Sequence, residues 1–263
     1  MVKLFATDLD GTLLKKENVI KEEDIKAIKQ LTSNGIDFAI ATGRLDRDIL
    51  RICKEIDFTA HRISQNGTFV QTRDNASIYA KTFDIPNSKA IHEKLITYQN
   101  PLCVSTNDEL YISEISEEMK ALENFLYFPL VEGIDFLDQY GETIHASKYM
   151  MIGQEQDLVT IESELRDHFA GHIETYLSDP RCLDIVPKGV SKAAGLHALA
   201  NHLNIETEEI AVIGDAYIDI PMFEMTPYSF AMSTAPAPVQ QKAAHVVNDV
   251  YEAIDHISDL VKS

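Results

Sequence analysis

Acidic side chains gather at the ends of apolar runs. Asp8 and Asp10 follow Leu4-Phe5-Ala6-Thr7, and Gly214-Asp215 with Asp219 follows a run over residues 209–213. A third run, residues 36–41, ends in Thr42-Gly43. In a parallel sheet, ligands bind beyond the carboxyl ends of the strands. Carboxylates collected there repel one another unless a cation is present, and hard oxygen donors suit Mg2+. Magnesium keeps positions open for a phosphate oxygen, so the chemistry indicated is phosphoryl transfer. Lys192, at the start of a predicted helix, could neutralise charge on the same phosphate. Thr42 offers a hydroxyl donor, and Gly43 lets the backbone approach.

The elements that must hold these residues alternate. Residues 4–7 read as a strand. Ile25, Ile28 and Leu31 recur at helical spacing over 22–34, with Gly35 as a stop. A strand at 36–41 and a helix at 46–55 follow, the rhythm of a parallel sheet with helices on both faces. Residues 63–65 and 68–70 flank Asn66-Gly67, a dipeptide suited to a tight hairpin turn. Residues 78–83 extend this ribbon. After Pro86 the pattern changes: a helix to 98, strands at 102–106 and 109–113, a helix at 117–126, a strand at 149–152, a helix at 157–169, then strands at 173–177 and 183–186. This grouping predicts an α+β module with an antiparallel sheet. From Val190 the first rhythm returns, with a helix to 203, a strand at 209–213, a helix after Pro221 and a strand at 228–232. Helices at 239–244 and 251–261 bracket a last strand at 245–247. The expected organisation is a Rossmann-like, doubly wound α/β core from residues 1–83 and 185–263, with an α+β domain inserted at 84–184.

Composition narrows the partners. The chain has 263 residues, 45% of them hydrophobic, enough for a core without disulfides or structural metal. A formal net charge of -19 excludes nucleic acid and anionic membrane surfaces as natural partners. Cys53, Cys103 and Cys182 are odd in number and far apart, as in a reducing compartment. No segment has the length of a membrane span, and Asp8 and Asp10 interrupt the N-terminal apolar stretch too early for a signal peptide. A cytoplasmic protein, monomeric or a homodimer, is expected. His168 and His172 stand four residues apart with Gly171 between them and read as a solvated helix end.

Asp8-Leu9-Asp10-Gly11-Thr12-Leu13 resembles the first motif of the haloacid dehalogenase superfamily, in its phosphatase branch. Thr42 matches the second motif, Lys192 the third, and Gly214-Asp215-Ala216-Tyr217-Ile218-Asp219 the fourth. The large insertion between motifs two and three is similar to the Cof-type branch with its class-2 cap. Thr42-Gly43-Arg44, Asn66-Gly67 and Lys188-Gly189-Val190-Ser191-Lys192 add to the likeness. The resemblance implies that Asp8 is a nucleophile forming an aspartyl-phosphate, and that Asp10 is first acid and then base. It implies Mg2+ held by Asp8, the Asp10 carbonyl and Asp215, with Asp219 a direct or outer partner. Thr42, Gly43, Lys192 and backbone amides near Leu9 would cradle the phosphoryl group. Arg44, Asn66 and Gly67 are left open: each touches substrate, or Arg44 pairs with an acidic neighbour and Asn66-Gly67 merely turns the chain.

Two positions depart from the pattern. Ile218 stands where the fourth motif usually has asparagine, and Ala231-Met232-Ser233-Thr234-Ala235 replaces a later asparagine-containing stretch. The expected activity is hydrolysis of small phosphorylated metabolites, sugar phosphates or phosphorylated cofactors. The alternatives are a metabolite-binding or regulatory protein with weak turnover, and a phosphomutase.

Overall fold

The apolar runs that end in polar residues are strands of one largely parallel sheet. The protein, seen in a computed structural model, is described for residues 1–263 apart from 16–18, 116–118, 121, 122, 124–126, 134 and 263. The chain lays down β1 (Leu4–Asp8), β2 (Asp37–Ala41), β3 (His61–Ser64), β4 (Phe69–Gln71) and β5 (Ser77–Ala80). Six strands of a second sheet follow: β6 (Leu102–Ser105), β7 (Leu110–Ile112), β8 (Val131–Glu132), β9 (Lys148–Ile152), β10 (Ile173–Asp179) and β11 (Cys182–Pro187). Then β12 (Ile210–Gly214), β13 (Tyr228–Met232) and β14 (His245–Val247) rejoin the first. The helices are α1 (Glu22–Ser33), α2 (Asp46–Glu55), α3 (Ile85–Leu95), α4 (Phe136–Gln139), α5 (Glu155–His168), α6 (Lys192–Leu203), α7 (Ile220–Phe223), α8 (Ala237–Gln240) and α9 (Val250–Lys262).

The chain divides into two compact units. One comprises Met1–Arg44, Ile52–Tyr79 and Ser191–Ser263; the other comprises Leu45–Arg51 and Ala80–Val190. The first sheet has the order β14-β13-β12-β1-β2-β3-β4-β5. From β14 to β3 its strands are parallel, and β4 runs antiparallel to β3. Strand order reverses beside β1, the switch point at which α/β sheets place their ligands. Every residue of β1 is buried, as expected for a strand covered on both faces. Leu4 and Ala6 join Ile63, Val212, Leu196, Leu199 and Phe223 on the face covered by α6, α7 and α8. Alternation turns Phe5 to the other face, where its ring stacks on Phe38 with centroids 6.1 Å apart. There α1 packs against α9 and β2.

The second sheet runs β10-β11-β9-β6-β7-β8, antiparallel except for the β7–β8 pair. Period-2 alternation divides its side chains. Val104, Tyr149, Met151, Leu183 and Ile185 pack with Ile91 and Leu95 of α3 and Leu158, Ile161 and Leu165 of α5. Cys103, Met150 and Leu110 lie in a smaller cluster with Leu45, Met119 and Leu130. Tyr140 Oη lies 2.9 Å from His92 Nδ1, and burial brings His92 down to about 4. The three cysteines are free thiols. Among the described residues, no helix is long and apolar enough to cross a membrane.

Most expected elements are present within a few residues. The short β8 and α4 were not anticipated, and the expected helix at 117–126 lies mostly outside the described residues. Asn66-Gly67 forms no two-residue hairpin turn: Gln65–Gly67 is a 3-10 turn with φ of 49°, 59° and 99°. Tertiary demand explains this. Gln65 N–H donates to Arg44 O and Asn66 N–H to Thr42 O, both at 2.9 Å, so the turn closes on the β2 loop as well as on β4.

Candidate active site

Asp8 is the last residue of β1 and pairs in register with Ala41, so Thr42 begins where Asp8 ends. On the other side Thr7 pairs with Ile213, which brings Gly214 and Asp215 to the same edge. The three polar strand ends thus meet because the strands stay in register.

Lys192 reaches them from α6. Ser191 caps that helix, its hydroxyl accepting from Ala194 N–H at 3.0 Å. Lys192 is buried, and its Nζ donates to Asp8 Oδ1 at 2.6 Å and Asp219 Oδ1 at 2.7 Å. Burial opposes its charge, but Asp219 and Asp8 more than offset that and raise its pKa above the ordinary lysine value. Asp219 is fully buried, and its Oδ2 accepts from the N–H groups of Asp215 and Ala216, both at 3.0 Å. The loop after β12 is therefore closed by Asp219 itself. Ile218 is buried, and the closure makes no use of its side chain.

Asp215 accepts from Thr12 Oγ1 at 3.3 Å. Gly11, at φ +87°, makes the approach possible: a Cβ there would lie 2.2 Å from Asp215 Oδ2. Thr12, fully buried, is a residue whose part the sequence did not suggest, although the Gly-Thr step after Asp10 marked its place. Leu9 is fully buried, and its carbonyl accepts from Leu14 N–H at 2.7 Å, which fixes the loop that carries Asp10.

One oxygen from each of Asp8, Asp215 and Asp219 lies within 4.8 Å of the others. Asp8 Oδ2 is buried with no hydrogen-bond donor among the described residues. Burial, only partly offset by Lys192, and the charges of Asp219 and Asp215 push Asp8 well above the usual carboxylate range. Burial and Asp219 likewise raise Asp215, against the pull of Lys192. Concentrated oxygen donors with an unsatisfied buried atom fit a hard divalent cation. Asp8 and Asp215 have oxygens to give; those of Asp219 are already engaged.

Thr42 is buried, with N–H donating to Ile63 O at 2.9 Å and Oγ1 accepting from Arg44 N–H at 3.2 Å. Gly43 lies between them on the same loop. Asp10, half exposed, meets the Arg44 guanidinium rather than the carboxylate cluster. Asn66 and Gly67 are buried in the scaffold. A Cβ on Gly67 would come within 2.0 Å of Ser191 O, so this turn seats the start of α6.

The family model for haloacid dehalogenase-like hydrolases matches residues 5–257. An HMP-PP phosphatase of Serratia proteamaculans is 28% identical over 241 residues, covering 89% of this chain and 85% of that one. A 5-amino-6-(5-phospho-D-ribitylamino)uracil phosphatase of Bacillus subtilis is 28% identical over 271 residues, covering 93% and 92%. Among solved structures, a haloacid dehalogenase-like hydrolase from Bacteroides thetaiotaomicron superposes with a TM-score of 0.85 at 26% identity, covering 98% of this chain and 100% of that one. With four motifs in order on a doubly wound sheet and a family match over nearly its whole length, the chain belongs to the haloacid dehalogenase-like hydrolases of Cof type.

Proposed function

We propose that the protein is a magnesium-dependent phosphatase of small phosphorylated metabolites, sugar phosphates or phosphorylated cofactors, working through an aspartyl-phosphate on Asp8. The observation that carries this reading is the buried Asp8–Lys192–Asp219 array beside Asp215, with a second carboxylate two residues after Asp8. Asp8 attacks phosphorus in line; the new O–P bond forms as the bond to the leaving oxygen breaks, and Asp10 gives that oxygen a proton. Asp10 then takes a proton from water, which attacks the phosphoryl group and frees Asp8. Lys192 fixes the Asp8 carboxylate and offsets charge beside it, while Thr42, Gly43 and the Leu9 backbone meet phosphoryl oxygens. Asp8, Asp215 and the Asp10 carbonyl would hold the Mg2+, with Asp219 keeping their loop in place; bound there, the ion neutralises phosphate charge. In this reading residues 84–184 form the cap that selects the substrate.

The test is phosphate release from a panel of sugar phosphates, nucleotides and phosphorylated cofactors, with Mg2+, with a chelator and with Asp8→Asn. Release that requires both Mg2+ and Asp8 is expected, with Asp8→Asn lowering kcat by at least about 10³-fold. Transfer to a second sugar hydroxyl instead of water would make it a mutase. Tight binding without turnover would make it a sensor.

A further inference from the structure

The Arg44 side chain is only 10% exposed, whereas the Asp10 side chain it meets is 50% exposed. Its Nε donates to Asp10 Oδ2 at 2.9 Å and Oδ1 at 3.1 Å, and a terminal nitrogen donates to Oδ1 at 2.5 Å. The arginine backbone is fixed in turn: its N–H donates to Thr42 Oγ1 and its C=O accepts from Gln65 N–H. The loop carrying Asp10 is tied by Leu14 N–H to Leu9 O at 2.7 Å and Gly11 N–H to Leu14 O at 3.0 Å. A planar fork on a rigid loop thus grips both oxygens of a carboxylate that would otherwise turn freely about its two side-chain torsions.

We propose that Arg44 is a positioning residue for Asp10 rather than a substrate contact. It fixes the direction from which Asp10 meets the leaving oxygen. The inference rests on Asp10 being the acid and base of the reaction. It assigns to Arg44 no contact with the phosphoryl group, so its effect passes entirely through Asp10.

A mutant cycle reads this directly. For an alkyl phosphate, Asp10→Asn is expected to lower kcat/KM by roughly 10²–10⁴-fold, and Arg44→Met by about 10–100-fold. In the Asp10→Asn background Arg44→Met should cost less than about threefold more, because its partner is already gone. Arg44→Lys should fail to restore the rate, since an ammonium keeps the charge but not the fork. With p-nitrophenyl phosphate, whose leaving group needs little protonation, the Arg44→Met loss in kcat/KM should shrink to a few-fold. The inhibition constant of inorganic phosphate should stay within about threefold of wild type. Multiplying losses in the double variant, or a tenfold weaker phosphate inhibition, would overturn the proposal and make Arg44 a substrate contact. An Asp10→Asn enzyme as fast as wild type would overturn the acid–base reading and the proposal with it. Unfolding midpoints of all variants identify any loss that is merely structural, and Arg44→Lys supplies the cycle if Arg44→Met does not fold.

Discussion

At the scale of single residues, the site concentrates negative charge that the fold alone does not balance. Burial and neighbouring carboxylates raise both Asp8 and Asp215. Each therefore takes up a proton in the folded chain at a pH where the unfolded chain does not, so ionisation at neutral pH works against folding. In metal-free protein, Asp215→Asn should raise the unfolding midpoint at pH 7 by roughly 2–4 °C, the shift that about 1 kcal/mol produces at this size. The gain should shrink as pH falls towards the ordinary carboxylate value of about 3.9, where wild-type Asp215 is protonated as well. The same variant should lose most of the midpoint rise that Mg2+ gives wild type. A lower midpoint at pH 7 would show that Asp215 is held by attraction rather than strained by repulsion. The residue types of this cluster were legible in the sequence because acidic groups recur at the ends of separate apolar runs, whereas any one of them alone is an ordinary turn residue. That Arg44 pairs with an acidic neighbour was one of the two readings the sequence left open. That the neighbour is Asp10 was not legible, since 34 residues separate them and only the placement of β1 beside β2 joins the two loops.

The turn Gln65–Gly67 shows what an element can be built to do. Three successive residues with positive φ are costly in a chain of L-amino acids, and two of them carry side chains. What holds them there is the pair of carbonyls at Thr42 and Arg44 and the seat for Ser191. Gly67→Ala would push a methyl group against the first turn of α6 and displace Lys192. The expected result is a loss of at least about 2 kcal/mol in stability and more than tenfold in phosphate release, checked by denaturant unfolding and steady-state rates. Wild-type rates in that variant would show that Lys192 is placed without the turn. From sequence, Asn-Gly between two strands reads as a hairpin, because local preference is all that a dipeptide reveals. The hydrogen bonds that override it come from a different loop.

Across the whole molecule, the net charge of -19 adds self-repulsion that salt should relieve. Raising NaCl from about 0.01 M to 0.15 M, which shortens the Debye length from about 30 to 8 Å, should raise the midpoint by a few degrees. A flat response would mean that local ion pairs already balance the surface. The alternation of strands and helices was legible over most of the chain, where apolar periodicity is strong. It failed at β8 and α4, which are too short to show a period. The order of the strands has a consequence in time. As the ribosome makes the chain, β1 emerges first with β2 to pair with, but its other neighbour, β12, is synthesised some two hundred residues later. Until then the strand that carries Asp8 has an open edge, and Asp215 and Asp219 have not yet been translated. The nascent protein therefore lacks the Asp8–Asp215–Asp219 carboxylate cluster and needs protection of its exposed sheet edge, until β12 docks and the loop after it follows.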